Sequence, residues 1–200
     1  MKLHRRDALM RPRRGRMFVK LKPKKQTSNS VGVVRRTPSE NITMANTYTQ
    51  IYIHIVYAVK HRDMLIAPSW KVRLHKYTTG IIHNQGHKLI AINSRPDHAH
   101  VFIGMKPDAK LSDLVREIRR DSTNFVNQEI KPQRRFAWQE GFGAFSYSHS
   151  QIDSVAKYIL NQEEHHRRRT FKEEYEAMLR EFAVEYDGRY VFDWLDSETR

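Results

Sequence analysis

Cysteine is absent from this 200-residue chain, which excludes a disulfide framework, thiolate metal sites and cysteine nucleophiles and fits a cytoplasmic protein. Long apolar runs are also missing. No stretch approaches the roughly 18 residues needed to cross a bilayer, and nothing resembles a secretory leader with its cleavage site, so no membrane association is expected. A G-x-x-x-x-G-K-[ST] loop is lacking too, and no nucleotide cofactor is expected. Acidic residues are the scarcer charge, 22 against 36 Lys and Arg, and the net +14 points to a polyanionic partner.

The charge is unevenly spread. Residues 1–43 hold 13 Lys and Arg against Asp7 and Glu40, whereas 44–200 carry 23 basic and 20 acidic side chains. Segments such as Arg11-Pro12-Arg13-Arg14-Gly15-Arg16 and Lys22-Pro23-Lys24-Lys25 show no apolar period. We read 1–43 as a disordered basic arm, either a DNA-binding tail or a leader from an upstream start or an added tag. Residues 44–200 are read as one domain, long enough to bury a core.

From residue 49 the pattern is regular. Thr49–Val59 is β-branched and aromatic with Ile51, Ile53 and Ile55 alternating, and predicts a strand. Ser69 is placed to cap a helix in which Trp70, Leu74, Tyr77 and Ile81 share a face, with Gly86 beyond its end. Lys88–Asn93 predicts a second strand, Ser94-Arg95-Pro96-Asp97 a turn, and His98–Met105 a third strand. Leu111, Leu114, Val115, Ile118, Phe125 and Val126 mark a long helix, and Phe142–Ser148 a fourth strand. Two more helices follow, one on Ile152, Val155, Ala156, Ile159 and Leu160, the other on Tyr175, Met178, Leu179 and Phe182. Tyr190–Leu195 reads as a closing strand or docking tail. The order β-α-β-β-α-β predicts an α+β, ferredoxin-like antiparallel sheet with appended C-terminal helices.

Asp97-His98-Ala99-His100-Val101-Phe102-Ile103 carries the first chemical signal. Alternate residues of a strand share a face, so His98 and His100 project together, about 7 Å apart, while Ala99, Val101 and Ile103 face a core. Two imidazoles so placed can converge on one cation. An isolated H-x-H pair also fits a polar strand face, but this one begins a strand just after a turn, where substrate can reach it. Asp97 either orients a histidine or shapes the turn, and we assign it to the turn.

The second signal is Lys157-Tyr158-Ile159-Leu160-Asn161-Gln162, in which Tyr158 and Gln162 stand at i and i+4 on the flank of the apolar stripe. The amide oxygen can complete a metal site beside the tyrosine on one rigid helix. His165 is a rival ligand, and His166 crowds the same helix end. The run Arg167-Arg168-Arg169 suits a helix C-terminus and can also meet phosphate.

Together, His98-Ala99-His100 and Tyr158-x-x-x-Gln162 resemble the single-tyrosine HUH transposases of the smallest bacterial insertion sequences (TnpA), a superfamily that includes the REP-associated tyrosine transposases. The likeness spans 44–200 and includes the opening strand, Arg95-Pro96-Asp97-His98 and Gly141–Ser148; the arm has no counterpart in it. The resemblance implies a homodimer in which the histidine pair of one subunit meets the tyrosine helix of the other. It implies Tyr158 as nucleophile, His98, His100 and Gln162 as ligands of a Mg²⁺ or Mn²⁺ ion, and single-stranded DNA carrying a hairpin as substrate. The product it implies is a 5′-phosphotyrosine with a free 3′-hydroxyl, formed without ATP. Three other readings stand beside it. One is a domesticated relative acting on chromosomal hairpin repeats. Another is a non-catalytic nucleic-acid-binding module stacking bases on Tyr52, His54 and Tyr57. The last is a metal hydrolase in which Tyr158 is structural.

Overall fold

The computed structural model describes residues 48–188 and 191. The basic arm and, apart from Val191, the segment 190–195 lie outside the described residues. β1 (Tyr52–Ala58), α1 (Pro68–Asn84), β2 (Lys88–Ser94), β3 (His98–Gly104), α2 (Leu111–Phe125) and β4 (Gly143–Tyr147) follow the expected order, and α3 (Ile152–Leu160), α4 (Gln162–His165) and α5 (Phe171–Glu181) are the appended helices. The strands form one four-stranded sheet in the order β2-β3-β1-β4. Every pairing is antiparallel. Among the described residues no helix is long and apolar enough to cross a membrane.

Strand alternation divides the sheet into two faces with different tasks. Ile53, Ile55 and Tyr57 of β1 lie opposite Ile103, Val101 and Ala99 of β3. With Trp70, Leu74, Ile82, Leu114, Val115 and Ile118 they make the larger core under α1 and α2. Burying each large apolar side chain there stabilises the fold by roughly 1.5–3 kcal/mol. The other face carries His54, Val56 and Ala58 opposite Phe102, His100 and His98. It is covered by Val155 and Ile159 of α3, and by Phe171, Tyr175, Met178 and Leu179 of α5. Tyr57 therefore belongs to the first face, not with Tyr52 and His54, and helices lie over both faces. A base-stacking platform has no open sheet to occupy.

Three local expectations are corrected. Helix α1 begins at Pro68 with Ala67 as its N-cap and no side-chain cap, so Ser69 lies inside the first turn. A proline at the first helical position loses no hydrogen bond and presets φ. The buried stripe of α1 is Trp70, Leu74, Thr78 and Ile82, and Tyr77 is 40 % exposed. Its ring stacks on Phe125 of α2 at 4.2 Å, outside the core. Leu160, placed in the α3 stripe, is 61 % exposed because the helix ends there and the chain turns at Asn161.

Packing contacts on the second face fix where α3 and α5 sit. Asn93 of β2 donates its amide to the carbonyls of Ile159 and Leu160, 2.9 and 3.0 Å away, and so satisfies the open C-terminal end of α3. A side-chain Cβ at Gly143 would lie 2.6 Å from the Tyr175 hydroxyl, so the bare backbone of β4 lets α5 approach the sheet. Helix α5 starts on a capping box. The Glu173 amide donates to Thr170 Oγ1, and the Thr170 amide donates to the Glu173 carboxylate.

Candidate metal centre and nucleophile

His98 and His100 project together from β3, as the alternation requires, but under α3 and α5 they are 1 % and 0 % exposed rather than open at a sheet end. His98, His100, His166 and Glu174 each offer a ligand atom, and these atoms all lie within 4.8 Å of one another. Glu174 Oε2 is 3.0 Å from His166 Nε2 and 3.9 Å from His98 Nε2. Its Oε1 is 3.8 Å from His100 Nε2 and 3.6 Å from His165 Nε2. His165, the expected rival ligand, is thus at the margin of the cluster and His166 at its centre.

Glu174 was not singled out from the sequence. Its place follows from the phase of α5: residue 174 falls on the stripe with Phe171, Tyr175 and Met178 and is buried with them. Burial alone would raise its carboxyl, but the His166 and His100 imidazoles and the Tyr158 hydroxyl beside it hold it well below the usual carboxylate range. The carboxylate is ionised at neutral pH.

Asp97 has more than the turn role assigned above. Its Oδ1 lies 2.7 Å from His98 Nδ1, and its Oδ2 accepts from Arg62 Nε at 2.8 Å. Arg62 reaches it because His61 and Arg62 both take left-handed φ of 56° immediately after β1, a conformation costing roughly 1 kcal/mol per non-glycine residue. Burial would raise Asp97, but His98 and Arg62 together pull it below its ordinary range.

For neutral imidazoles these partners select which ring nitrogens carry protons. The Asp97 carboxylate holds the proton of His98 on Nδ1. The Arg169 carbonyl, 3.0 Å from His166 Nδ1, does the same for His166. The two Nε2 atoms then face each other at 3.1 Å with lone pairs only. Two acceptors at that distance beside an ionised carboxylate are relieved by a shared cation, a proton or a metal ion. Among the described residues, His100 Nε2, Gln162 Oε1 and Glu174 Oε2 are also buried without a hydrogen-bond partner. Two imidazole nitrogens that must be lone pairs, a carboxylate and unpaired acceptors fit a divalent metal ion.

The tyrosine lies on the same carboxylate. Tyr158 donates its hydroxyl to Glu174 Oε1. Gln162 donates its Nε2 to that oxygen at 2.9 Å. The Tyr158 ring centre is 6.2 Å from that of His100, all within one chain. Tyr158 thus already stands over the histidines of its own chain. Tyr158 and Gln162 are also not on one helix, since the chain breaks at Asn161; it is Glu174 that draws them together. Burial first, then the Glu174 charge, raise the Tyr158 hydroxyl far above its ordinary range, so its side chain rests as a phenol.

Two open cavities flank this arrangement. One of about 300 Å³ is bounded by Tyr147, Ser154, Tyr158, His165, Arg169 and Glu174. The other, about 490 Å³, reaches His98 between Arg62, Arg95, Arg167, Arg168 and Arg169.

Burial pushes His54 down to about 4 and His75 to about 4, and lowers His98 and His100 as well. An unfolded histidine titrates near about 6.5, so these folded values lie below the unfolded one. The stability they contribute is present above about pH 6.5 and is lost as pH falls toward 4. The thermal midpoint in EDTA is therefore expected to drop between about pH 7 and about pH 5, with about 1–2 kcal/mol lost for His54 alone. A midpoint flat over that interval would show that these rings titrate in the folded chain as they do in the unfolded one.

Comparison with known proteins places residues 47–162, more than half of the chain, within the description of IS200-like transposases. His98, His100, Tyr158 and Gln162 fall inside the matched region, whereas His166 and Glu174 lie beyond it. No curated protein matches the chain. Solved structures similar to it include a candidate transposase from Deinococcus radiodurans R1, with a TM-score of 0.47, 20 % identity, and 59 % of this chain and 95 % of that one covered. Another is a REP-associated tyrosine transposase bound to a REP hairpin, with a TM-score of 0.47, 16 % identity, and 61 % and 72 % covered.

Proposed function

Because the chain belongs to the IS200-like transposase family, we propose that it cuts and rejoins single-stranded DNA at hairpin-marked element ends through a 5′-phosphotyrosine on Tyr158. The observation that carries this reading is the shared carboxylate: Glu174 accepts the Tyr158 hydroxyl and faces His98, His100 and His166. Nucleophile and ligand cluster are one connected unit.

His98 and His100, with Glu174 and His166, would hold the divalent ion. Gln162, whose Oε1 is unpaired, is the adjoining ligand or the support of Glu174. Nitrogen donors favour Mn²⁺ over Mg²⁺. When bound, the cation neutralises the phosphodiester oxygens and polarises phosphorus. The chain's own residues do the rest. Tyr158 Oη attacks phosphorus and forms the Oη–P bond as the bond from phosphorus to the 3′ oxygen breaks. The phenol proton passes to Glu174 Oε1, and the departing 3′ oxygen takes up a proton. Reversal by a 3′-hydroxyl restores the diester without ATP, because the phosphotyrosine link retains its energy. Arg95 and Arg167–Arg169 line the approach to His98, where they would pair with backbone phosphates.

A homodimer would hold two element ends together, each site complete within its own chain. The test mixes Tyr158→Phe protein with His98→Ala/His100→Ala protein under conditions where subunits exchange. Neither the separate proteins nor the mixture should cleave a hairpin oligonucleotide. Cleavage by the mixture alone would show that α3 crosses to a partner.

A further inference from the structure

Each imidazole in the cluster has its far nitrogen seated on a partner, and for two of them that partner is an oxygen. Asp97 holds His98 Nδ1 at 2.7 Å, and the Arg169 carbonyl holds His166 Nδ1 at 3.0 Å. Either oxygen can only accept, so the outward nitrogen carries the proton and the inward one is left as a lone pair. His100 has no such oxygen. Its Nδ1 lies 3.0 Å from Nε2 of His54, on the neighbouring strand.

We propose that His54 is the positioning residue for His100: its Nε2 accepts the Nδ1–H of His100 and turns His100 Nε2, as a lone pair, toward the divalent cation. The inference rests on the metal reading above. With the opposite sense, His54 donating, the proton of His100 would sit on Nε2, 3.8 Å from Glu174, and close that nitrogen to a metal. The two rings are stacked, with centres 5.2 Å apart and planes 25° from parallel, so the pair is held as a unit.

His54 has no freedom to do anything else. It is 0 % exposed. The rings of Phe102, Phe145, Tyr147 and Tyr158 surround it with centres 6.3–6.5 Å away. Its Nδ1 has no hydrogen-bond partner among the described residues. An aliphatic side chain would fill this aromatic box without the desolvation cost of an imidazole. The polar atom that has a partner is Nε2, and that partner is His100.

The experiment measures Mn²⁺ affinity of the full chain without DNA, by the electron paramagnetic resonance of free Mn²⁺, in wild type, His54→Leu and His54→Gln. Loss of a partner that orients a ligand weakens metal binding about 10–100-fold, and that is the expected result for His54→Leu. His54→Gln, whose amide oxygen can accept from His100, should return most of the affinity. Wild-type affinity in His54→Leu overturns the role of His54 alone. Equal weakening in both variants also overturns it, since packing and not acceptance would then matter. Absence of Mn²⁺ binding by wild type overturns both this inference and the metal reading. A measurement on wild type needs no variant to fold: with diamagnetic Zn²⁺ bound, long-range ¹H–¹⁵N correlation should show His54 as the Nδ1–H tautomer. The Nε2–H tautomer overturns the proposal.

Discussion

Tyr158→Phe should bind a hairpin-bearing single strand as wild type does and form no covalent adduct with it. The change removes one oxygen, the atom that bonds to phosphorus, and leaves the ring that packs against His54, His100 and His165. Glu174 loses one donor but keeps Gln162, so the stability cost should be about 1–2 kcal/mol. Cleavage should fall at least about a thousandfold, because no other hydroxyl takes over a covalent step once its nucleophile is gone. A mobility shift with intact DNA checks binding, and a denaturing gel checks the adduct. Persistent adduct formation by the phenylalanine variant would falsify the assignment.

The raised Tyr158 hydroxyl sharpens this expectation. Burial and the neighbouring carboxylate oppose a free phenolate, so the proton leaves as the bond to phosphorus forms. The acceptor must already be in hydrogen-bond contact, and Glu174 Oε1 is.

How much of this was legible in the sequence follows from which signals are periodic. The alternation of Ile53, Ile55 and Tyr57, and of Ala99, Val101 and Ile103, gives the sheet and the common face of His98 and His100, because a strand leaves no other choice. The split β-α-β-β-α-β order gives the topology. Helix phase is less determinate: Tyr77 and Ile81 adjoin Thr78 and Ile82 on one side of α1, and only its docking on the sheet decides that the latter pair is the buried one. The break at Asn161 depends on Asn93, a residue distant in sequence that takes up the last carbonyls of α3.

Glu174 shows both what a sequence holds and what is easily passed over. Thr170-Phe171-Lys172-Glu173 is a capping-box signature that fixes where α5 begins. Counting from it places Glu174 within the stripe of Phe171, Tyr175 and Met178, where a carboxylate is costly unless it is paired. That anomaly marks a site. What it pairs with depends on how α5 docks, and no local pattern states this. Asp97 is similar: Pro-Asp reads as a turn, and only the fold brings Arg62 and His98 to its two oxygens.

Removal of the metal-binding groups should then grade activity by what each one holds. His98→Ala and His100→Ala should each eliminate cleavage, since the cluster loses a buried nitrogen that no exposed neighbour can replace. EDTA should do the same to wild type, with recovery on adding Mn²⁺. Gln162→Ala should weaken cleavage without abolishing it: water can stand in for an amide oxygen, and Glu174 retains the Tyr158 hydroxyl as a donor. Glu174→Gln is the decisive case, because the amide preserves shape and can still accept from Tyr158, yet it cannot take a proton or offer charge to a cation. Loss of a general base costs about 10²–10⁴-fold. Cleavage should drop by at least that much, with weaker Mn²⁺ binding and an unchanged circular dichroism spectrum. A variant that cleaves faster than wild type would reverse the role of Glu174, making it a restraint on Tyr158 rather than its proton acceptor. The two outcomes differ in sign, so one rate measurement at saturating Mn²⁺ separates them.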